Sequence, residues 1–453
     1  MQQTNQTKNA DLGHAPVGRL LFSLALPAIT AQIINLLYNM VDRMYIGHIP
    51  EAGPTALTGV GVTMPLIMCI SAFAALVSMG GAPQASIHMG QGDHDGAEAI
   101  LGNCASALFL ISIALTTLFL MFGRDILLMF GASETTSPYA WSYMQIYVCG
   151  TMFVQASLGL NAFINCQGFA KIGMMTVAIG AVCNIILDPL FIFGLNMGVR
   201  GAALATILSQ SVSCIWILKF LTGPKTTLKL RRKNLTLKRK VILPCISLGL
   251  APFIMQFTES ALFISFNTSL LKYGGDIAVG AMTILSSVMQ FSMLPLQGLT
   301  QGAQPIISFN YGAKNIGRVK QAFRLLLASA ACYSTLLWGL CIFTPKLFIS
   351  IFTSDPELTA YTVWAMRIYM AVALIFSVQL SCQQTFIALG NAKISVFLAL
   401  LRKVFLLIPL IFILPMFFEN KALAVFLAEP VSDIIAVSTT AYLFRKEYKK
   451  LGA

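Results

Sequence analysis

Twelve apolar runs, most of them long enough to cross a bilayer, follow one another along the chain with only short polar breaks between them. A hydrocarbon layer about 30 Å thick takes roughly 20 apolar residues in helical form. Inside that layer every backbone N–H and C=O must find its partner within the protein. The runs fall at 17–46, 55–80, 98–122, 138–161, 172–194, 199–221, 241–271, 278–302, 319–344, 358–382, 393–417 and 421–444. They predict an all-α membrane protein with 12 transmembrane helices. Composition agrees: 57% of the residues are hydrophobic and 10% charged, against about 25% charged in soluble domains. No soluble fold class fits.

An even number of spans puts both termini on one side of the bilayer, and the basic residues say which. With the amino terminus inside, the inner ends hold 23 Lys and Arg, among them Lys8, nine between Lys219 and Lys240, and the pair Arg402 and Lys403. The outer ends hold 6, and Arg367 lies within the tenth run. This bias places both termini in the cytoplasm. The net charge of +13 therefore reports topology, not nucleic-acid binding. The first 16 residues are polar and lack the apolar core of a cleavable signal peptide. The basic stretch Gly223 to Lys240 reads as a cytoplasmic linker. It separates an amino-terminal lobe, residues 1–222, from a carboxyl-terminal lobe, residues 241–453.

The two halves repeat. Pro83/Pro305, Gly90/Gly312, Gly168/Gly390, Ala170/Ala392, Lys171/Lys393 and Ile172/Ile394 all recur at a spacing of 222. Six spans per half gives the copies the same orientation, so a pseudo-twofold axis along the membrane normal relates them. A binding site between the halves, near the midplane, is expected of such a frame.

Polar residues inside the spans point to function, because a charge facing lipid is costly and such groups normally line a wet cavity or an ion path. The fifth run carries Asn184, Asp188 and Pro189. Asn184 and Asp188 are four apart and share one helical face, while Pro189 has no N–H and leaves the carbonyl of Ile185 without its helical donor. In the first run Asn35, Tyr38, Asn39 and Asp42 form a polar stripe at i, i+3, i+4 and i+7. If Asp42 and Asp188 meet, both cannot stay ionised cheaply, so they share a proton or hold a cation. The alternative for Asp42 is a local pair with Arg43. Thr206, on the small-residue stretch GVRGAALAT, offers a neutral oxygen beside Asp188 or else satisfies a carbonyl of its own helix. In the second half Gln256 and Glu259 of the seventh run and Asp433 of the twelfth are second-rank cavity residues, with Glu429 placed toward the outer surface. Asn267 stands where Asp42 should recur. Leu406 and Leu410 stand around the mirror of Asp188.

Other chemistry is missing. The ten cysteines show no CxxC and the four histidines no metal spacing, so neither a disulfide framework nor a structural metal is expected. No nucleophile–base pattern appears, and none of the Asp-rich or His-containing motifs of an intramembrane enzyme, so the chain is read as a non-enzyme without cofactor. The loops GQGDHDGAEA and YGAKNIGRVKQA read as elbows, with Asp93 and Asn315 capping short helices that enter the next spans. Neither is a phosphate loop.

Together LYNMVDRMYIGH in the first run, the loop after the second, NIILDPLFIFG in the fifth and GVRGAALAT in the sixth resemble the multidrug and toxic compound extrusion family over nearly the whole chain. The resemblance implies two six-helix lobes set as a V, and cation-coupled antiport by alternating access. It implies that Asp42, Asn184, Asp188 and Thr206, with Tyr38 and Asn39 alongside, bind H+ or Na+ and substrate in the amino-terminal lobe. Glu259 matches an acid of another branch, whose partner acid in the tenth helix is missing here: that helix offers Gln379, Gln383 and Gln384, the last two just past the apolar run. The expected protein is a monomer in the bacterial plasma membrane that exports lipophilic, mostly cationic drugs. The 31 Phe and 21 Met suit adaptable aromatic cavity walls. The alternative is an exporter of a lipid-linked saccharide, which would need a basic cavity, and no intramembrane Lys or Arg cluster is expected. A channel would need neither the asymmetric acids nor the duplicated frame.

Overall fold

A computed structural model describes residues 11–50 and 52–451, so Lys8 and the first ten residues of the polar leader lie outside the described residues. The elements among them are all helical. The spans are α1 (Val17–Gly47), α2 (Gly53–Gly90), α3 (His94–Met129), α4 (Ser137–Cys149 with Thr151–Cys166), α5 (Ala170–Gly194) and α6 (Val199–Thr222). The second set begins with one long helical stretch, Arg239–Gly312, which Gly275 breaks at φ 69° and ψ −165° into α7 (239–274) and α8 (275–312). Then follow α9 (Ile316–Phe343), α10 (Pro356–Tyr369 with Ala373–Ala388), α11 (Ala392–Met416) and α12 (Lys421–Lys450). The split at Gly275 brings the number of spans to the expected twelve, in two six-helix lobes. Two spans are bent rather than straight: α4 by 59° and α10 by 46°.

The duplication is written in the backbone. Gly92 (φ 79°) and Lys314 (φ 58°), 222 apart, both take the left-handed conformation, as do Gly168 (φ 87°) and Gly390 (φ 75°). Each stands in a turn between spans. Lys314 adopts this conformation although it is not glycine, because the turn geometry is inherited from the repeat. Asp93 and Asn315 accept from the backbone of Gly96 at 2.9 Å and Arg318 at 3.5 Å. They cap α3 and α9 themselves, not the separate short helices expected from the sequence.

The two ends of the described residues lie on one face, where Leu12 and Leu451 pack in the same apolar cluster. On that face the lobes meet backbone to backbone. A Cβ added at Gly80 would overlap the carbonyl of Cys245, at Gly249 that of Leu76, at Gly90 that of Phe309 and at Gly312 that of Ile87. Gly90 and Gly312 are repeat mates, and so are their targets Phe309 and Ile87. α2 and α8 therefore cross at the pseudo-twofold axis with reciprocal glycine contacts. Close approach of this kind is how helices associate where no water drives them together. Arg318 of α9 adds a polar latch across the lobes, donating to the carbonyls of Leu12 at 3.2 Å and Ala15 at 2.7 Å.

The basic linker is bound to this face, not loose. The Gln167 carboxamide oxygen accepts from the Thr226 hydroxyl and from the Thr227 and Leu228 backbone N–H groups, each at 2.9 Å. Arg231 pairs with the buried Glu98 at 2.8 Å.

The glycine seam predicts a conformational effect. Gly90→Val should wedge the lobes apart at the terminal face. Spin labels at the exposed Gln91 and Lys314, in a background cleared of native cysteines, should give a longer, broader distance distribution than without the substitution. An unchanged distribution counts against the seam as the contact that holds this face shut.

Candidate ion and substrate site

Three elements of the amino-terminal lobe bring the acids together. Past Thr176, α5 is apolar apart from Asn184 and Asp188, which stack on its inner face and are 1% and 0% exposed. Pro189 follows, and the helix widens into a π turn over Leu190–Gly194, closed by the Leu195 N–H on the Leu190 carbonyl at 2.9 Å. Such turns arise where the regular i to i−4 ladder is broken, here by a residue without N–H. α1 brings Asp42, which is also buried, into the same part of the lobe, close enough to Asp188 for the two carboxyls to interact. Arg43 does not pair with it; the guanidinium turns to the Met64 sulfur at 3.6 Å. α6 brings Thr206, possible at this range because Gly201 lies directly on the backbone of Phe191 and Ile192.

A single amide ties these groups. Asn184 Nδ2 donates to Asp188 Oδ1 at 3.2 Å and to Thr206 Oγ1 at 3.5 Å. The Thr206 hydroxyl donates to the Ala202 carbonyl of its own helix at 3.0 Å, while its oxygen accepts from Asn184. Asp42 Oδ1, Asn184 Oδ1 and Asp188 Oδ2 are buried without a hydrogen bond to another described residue. Two carboxylates, a carboxamide and a hydroxyl are hard oxygen donors, fit for a proton or a small alkali or alkaline-earth cation and not for a soft metal. Among the described residues no group of three His, Cys, Asp or Glu is arranged to hold a metal. The acids lie within the amino-terminal lobe, not between the lobes. Asp188 is 18 residues past Ala170, about 27 Å along the helix at 1.5 Å per residue, toward the face opposite the termini.

Tyr38 is half-buried one turn before Asp42 and lines the cavity described below, as do Asn184 and Thr206. Asn39 stands apart: its amide donates to the Asn35 carbonyl of its own helix at 2.6 Å and does not reach the cavity. Tyr143 and Tyr147 of α4, ring centroids 6.0 Å apart and both buried, pack beside these residues. Sequence reading missed them, since an i, i+4 aromatic pair on an apolar helix looks like ordinary core.

A cavity of about 380 Å³ runs from Asn184 and Thr206 toward the terminal face. Of its 33 lining residues none is charged, nine are Asn or Gln, seven are Ser or Thr, and Tyr38 is the one aromatic. This corrects the expectation of aromatic, Met-rich walls. The Phe and Met side chains largely fill cores and lipid-facing surface, where apolar area belongs. Gln256 reaches this cavity from α7, whereas Glu259 and Asp433 do not line it.

The carboxyl-terminal lobe holds its charges differently. Arg402 and Lys403, counted above as cytoplasmic, are buried on a π-helical turn of α11, Leu401–Leu407. They lie ten and eleven residues past Ala392, about 15 Å into the span; that offset was the available signal. Without them the inner count falls from 23 to 21, still far above 6. Arg402 pairs with Glu429 and with Asp433, each at 2.8 Å, and its guanidinium sits 4.6 Å from the Phe376 ring centroid. Lys403 pairs with the half-exposed Glu259 and donates to the Met255 carbonyl at 2.9 Å. So an intramembrane Lys and Arg cluster does exist, and Glu429 is a buried partner, not a surface acid. Desolvated charges at this depth persist only when matched.

A family model, MatE, matches residues 27–190 and 252–413. The chain belongs to the MatE family. The MatE chain is a transporter, not an enzyme, embedded in a membrane by its apolar helices. The multidrug export protein MepA of Staphylococcus haemolyticus (strain JCSC1435) is 22% identical over 421 residues, covering 92% of each chain. MepA of Staphylococcus aureus (strain NCTC 8325 / PS 47) is 22% identical over 405 residues, covering 88% of each. Among solved structures, MATE in the bent conformation aligns with TM-score 0.92 at 20% identity over 99% of both chains. An outward-facing multidrug resistance MATE family transporter of the MOP superfamily aligns with TM-score 0.91 at 19% identity, over 99% of this chain and all of that one. These structures share the fold.

The ion cluster yields a stability prediction. Arg402→Met strands two buried carboxylates and should cost about 3–5 kcal/mol, read as a fall in Tm of the detergent-solubilised protein. Adding Glu429→Gln and Asp433→Asn should restore most of it. A single variant as stable as the parent contradicts the pairing.

Proposed function

We propose that this MatE transporter is a secondary active multidrug exporter that exchanges inward-moving H+ or Na+ for outward-moving lipophilic, mostly cationic compounds. The observation that carries the reading is the pair Asp42 and Asp188, buried side by side with no basic partner, at the head of a charge-free polar cavity. The names of the staphylococcal relatives, multidrug export proteins, support the direction and substrate breadth. The excess of Lys and Arg at the terminal face supports a bacterial plasma membrane orientation with both termini in the cytoplasm.

The mechanism follows from what the acids tolerate. Two neighbouring carboxylates in a dry site hold a proton or a cation far better than they hold two bare charges. Ion loading neutralises the head of the cavity and removes its attraction for a cationic compound. Release of the ion restores that attraction. Coupling requires the ion and the drug to favour different states of the lobes, because a ligand shifts a conformational equilibrium only through its differential affinity. Asn184 transmits the change, since one amide holds both Asp188 on α5 and Thr206 on α6.

The saccharide-lipid reading gains a buried Arg and Lys pair, but that pair is already engaged by three carboxylates, Glu259, Glu429 and Asp433. Asp188→Asn should abolish ion-driven efflux of a cationic dye from everted vesicles, at least tenfold, with insertion unaffected. Separate H+ and Na+ gradients identify the coupling ion in the parent protein. Efflux at parental rates in the variant removes Asp188 from the mechanism.

A further inference from the structure

The cavity walls say more about the ligand than its charge. The nine carboxamides come from six helices, and three of these give a pair at helical spacing: Gln32 and Asn35 on α1, Asn161 and Asn165 on α4, and Gln301 and Gln304 on α8. Gln301 and Gln304 make no side-chain hydrogen bond to another described residue. Asn161 Nδ2 is directed to the Gly173 carbonyl at 3.3 Å, which leaves its Oδ1 buried and unpartnered, as is Asn184 Oδ1. Both residues line the chamber, so each brings to its wall a carboxamide whose oxygen no other described residue satisfies.

An apolar cation would fare poorly in this chamber. It would strip water from amides and hydroxyls and return no hydrogen bond, at about 1–3 kcal/mol per group left unpaired. It would also find a single aromatic face for cation–π attraction. A cation whose charge sits on N–H groups reverses both terms, because each N–H donates to a carboxamide oxygen and charge-assisted bonds are the stronger kind. The volume lies at the small end of the roughly 300–1,000 Å³ of ligand pockets. We propose that the amino-lobe chamber selects small organic cations bearing N–H donors, of the amidinium, guanidinium or primary ammonium type, over quaternary lipophilic cations of equal size. This narrows the substrate class of the export reading above and rests on it.

The test uses two matched aromatic probes, benzamidine and phenyltrimethylammonium, titrated calorimetrically against the purified full-length transporter in nanodiscs. Benzamidine should bind at least tenfold more tightly. Asn161→Ala should weaken benzamidine about tenfold and leave phenyltrimethylammonium unchanged. Gln301→Ala, on the wall supplied by the other lobe, should do the same to a smaller degree and serves if Asn161→Ala is poorly folded. Equal affinity, preference for the quaternary probe, or binding of neither overturns the proposal. Dye efflux measured in parallel separates the two readings. Coupled efflux without amidinium preference sinks the chamber assignment alone, and amidinium preference without coupled efflux sinks the antiport reading alone.

Discussion

A carboxylate inside hydrocarbon has to be answered by something, because burying an isolated ion costs far more than any packing contact returns. The interior of this transporter can be read as two answers to that demand on one duplicated frame. In the carboxyl-terminal lobe the answer is covalent to the chain: Arg402 pairs with Glu429 and Asp433, and Lys403 with Glu259, so each of the three acids has a basic partner. In the amino-terminal lobe no basic side chain among the described residues pairs with Asp42 or Asp188, and in the mechanism we propose the answer comes from solution as an exchangeable ion. A lobe that carries its own counter-ions has little reason to bind one, whereas a lobe that lacks them depends on its surroundings.

The repeat makes the contrast geometric. At the spacing of 222, Arg402 and Lys403 correspond to Gly180 and Ala181, both of which line the amino-lobe cavity. Where one copy fills the space with long charged side chains, the other leaves it to a hydrogen atom and a methyl group. The chamber and the ion cluster are thus alternative contents of one position in the frame. Helix breaks go with both: a π turn past Pro189 in α5 and another carrying Arg402 and Lys403 in α11. Irregular backbone at membrane depth is tolerated where protein or a cavity, not lipid, surrounds it.

Movement needs a contact that closes well yet can part. Reciprocal glycines of α2 and α8 let the backbones of the lobes touch, while Leu20, Leu21 and Leu24 of α1 share an apolar cluster with Leu296, Leu299 and Ile306 of α8. Opening would still have to release Arg318 from the Leu12 and Ala15 carbonyls.

The sequence alone determined the spans, their number and the repeat, because apolar length and recurring glycines are local properties that a bilayer reads one helix at a time. It also exposed Asp42, Asn184, Asp188 and Thr206, since a lone polar residue in an apolar run has few reasons to be there. It misassigned Arg402 and Lys403, because a basic pair near the start of a span looks the same whether it ends at the membrane surface or continues inward. It could not tell that Asn39 is satisfied by its own helix while Asn161, on an equally apolar span, faces an open chamber. Those distinctions belong to the tertiary structure: they depend on which neighbours arrive from helices hundreds of residues away, and a side chain's partner, unlike its hydropathy, is not a local property.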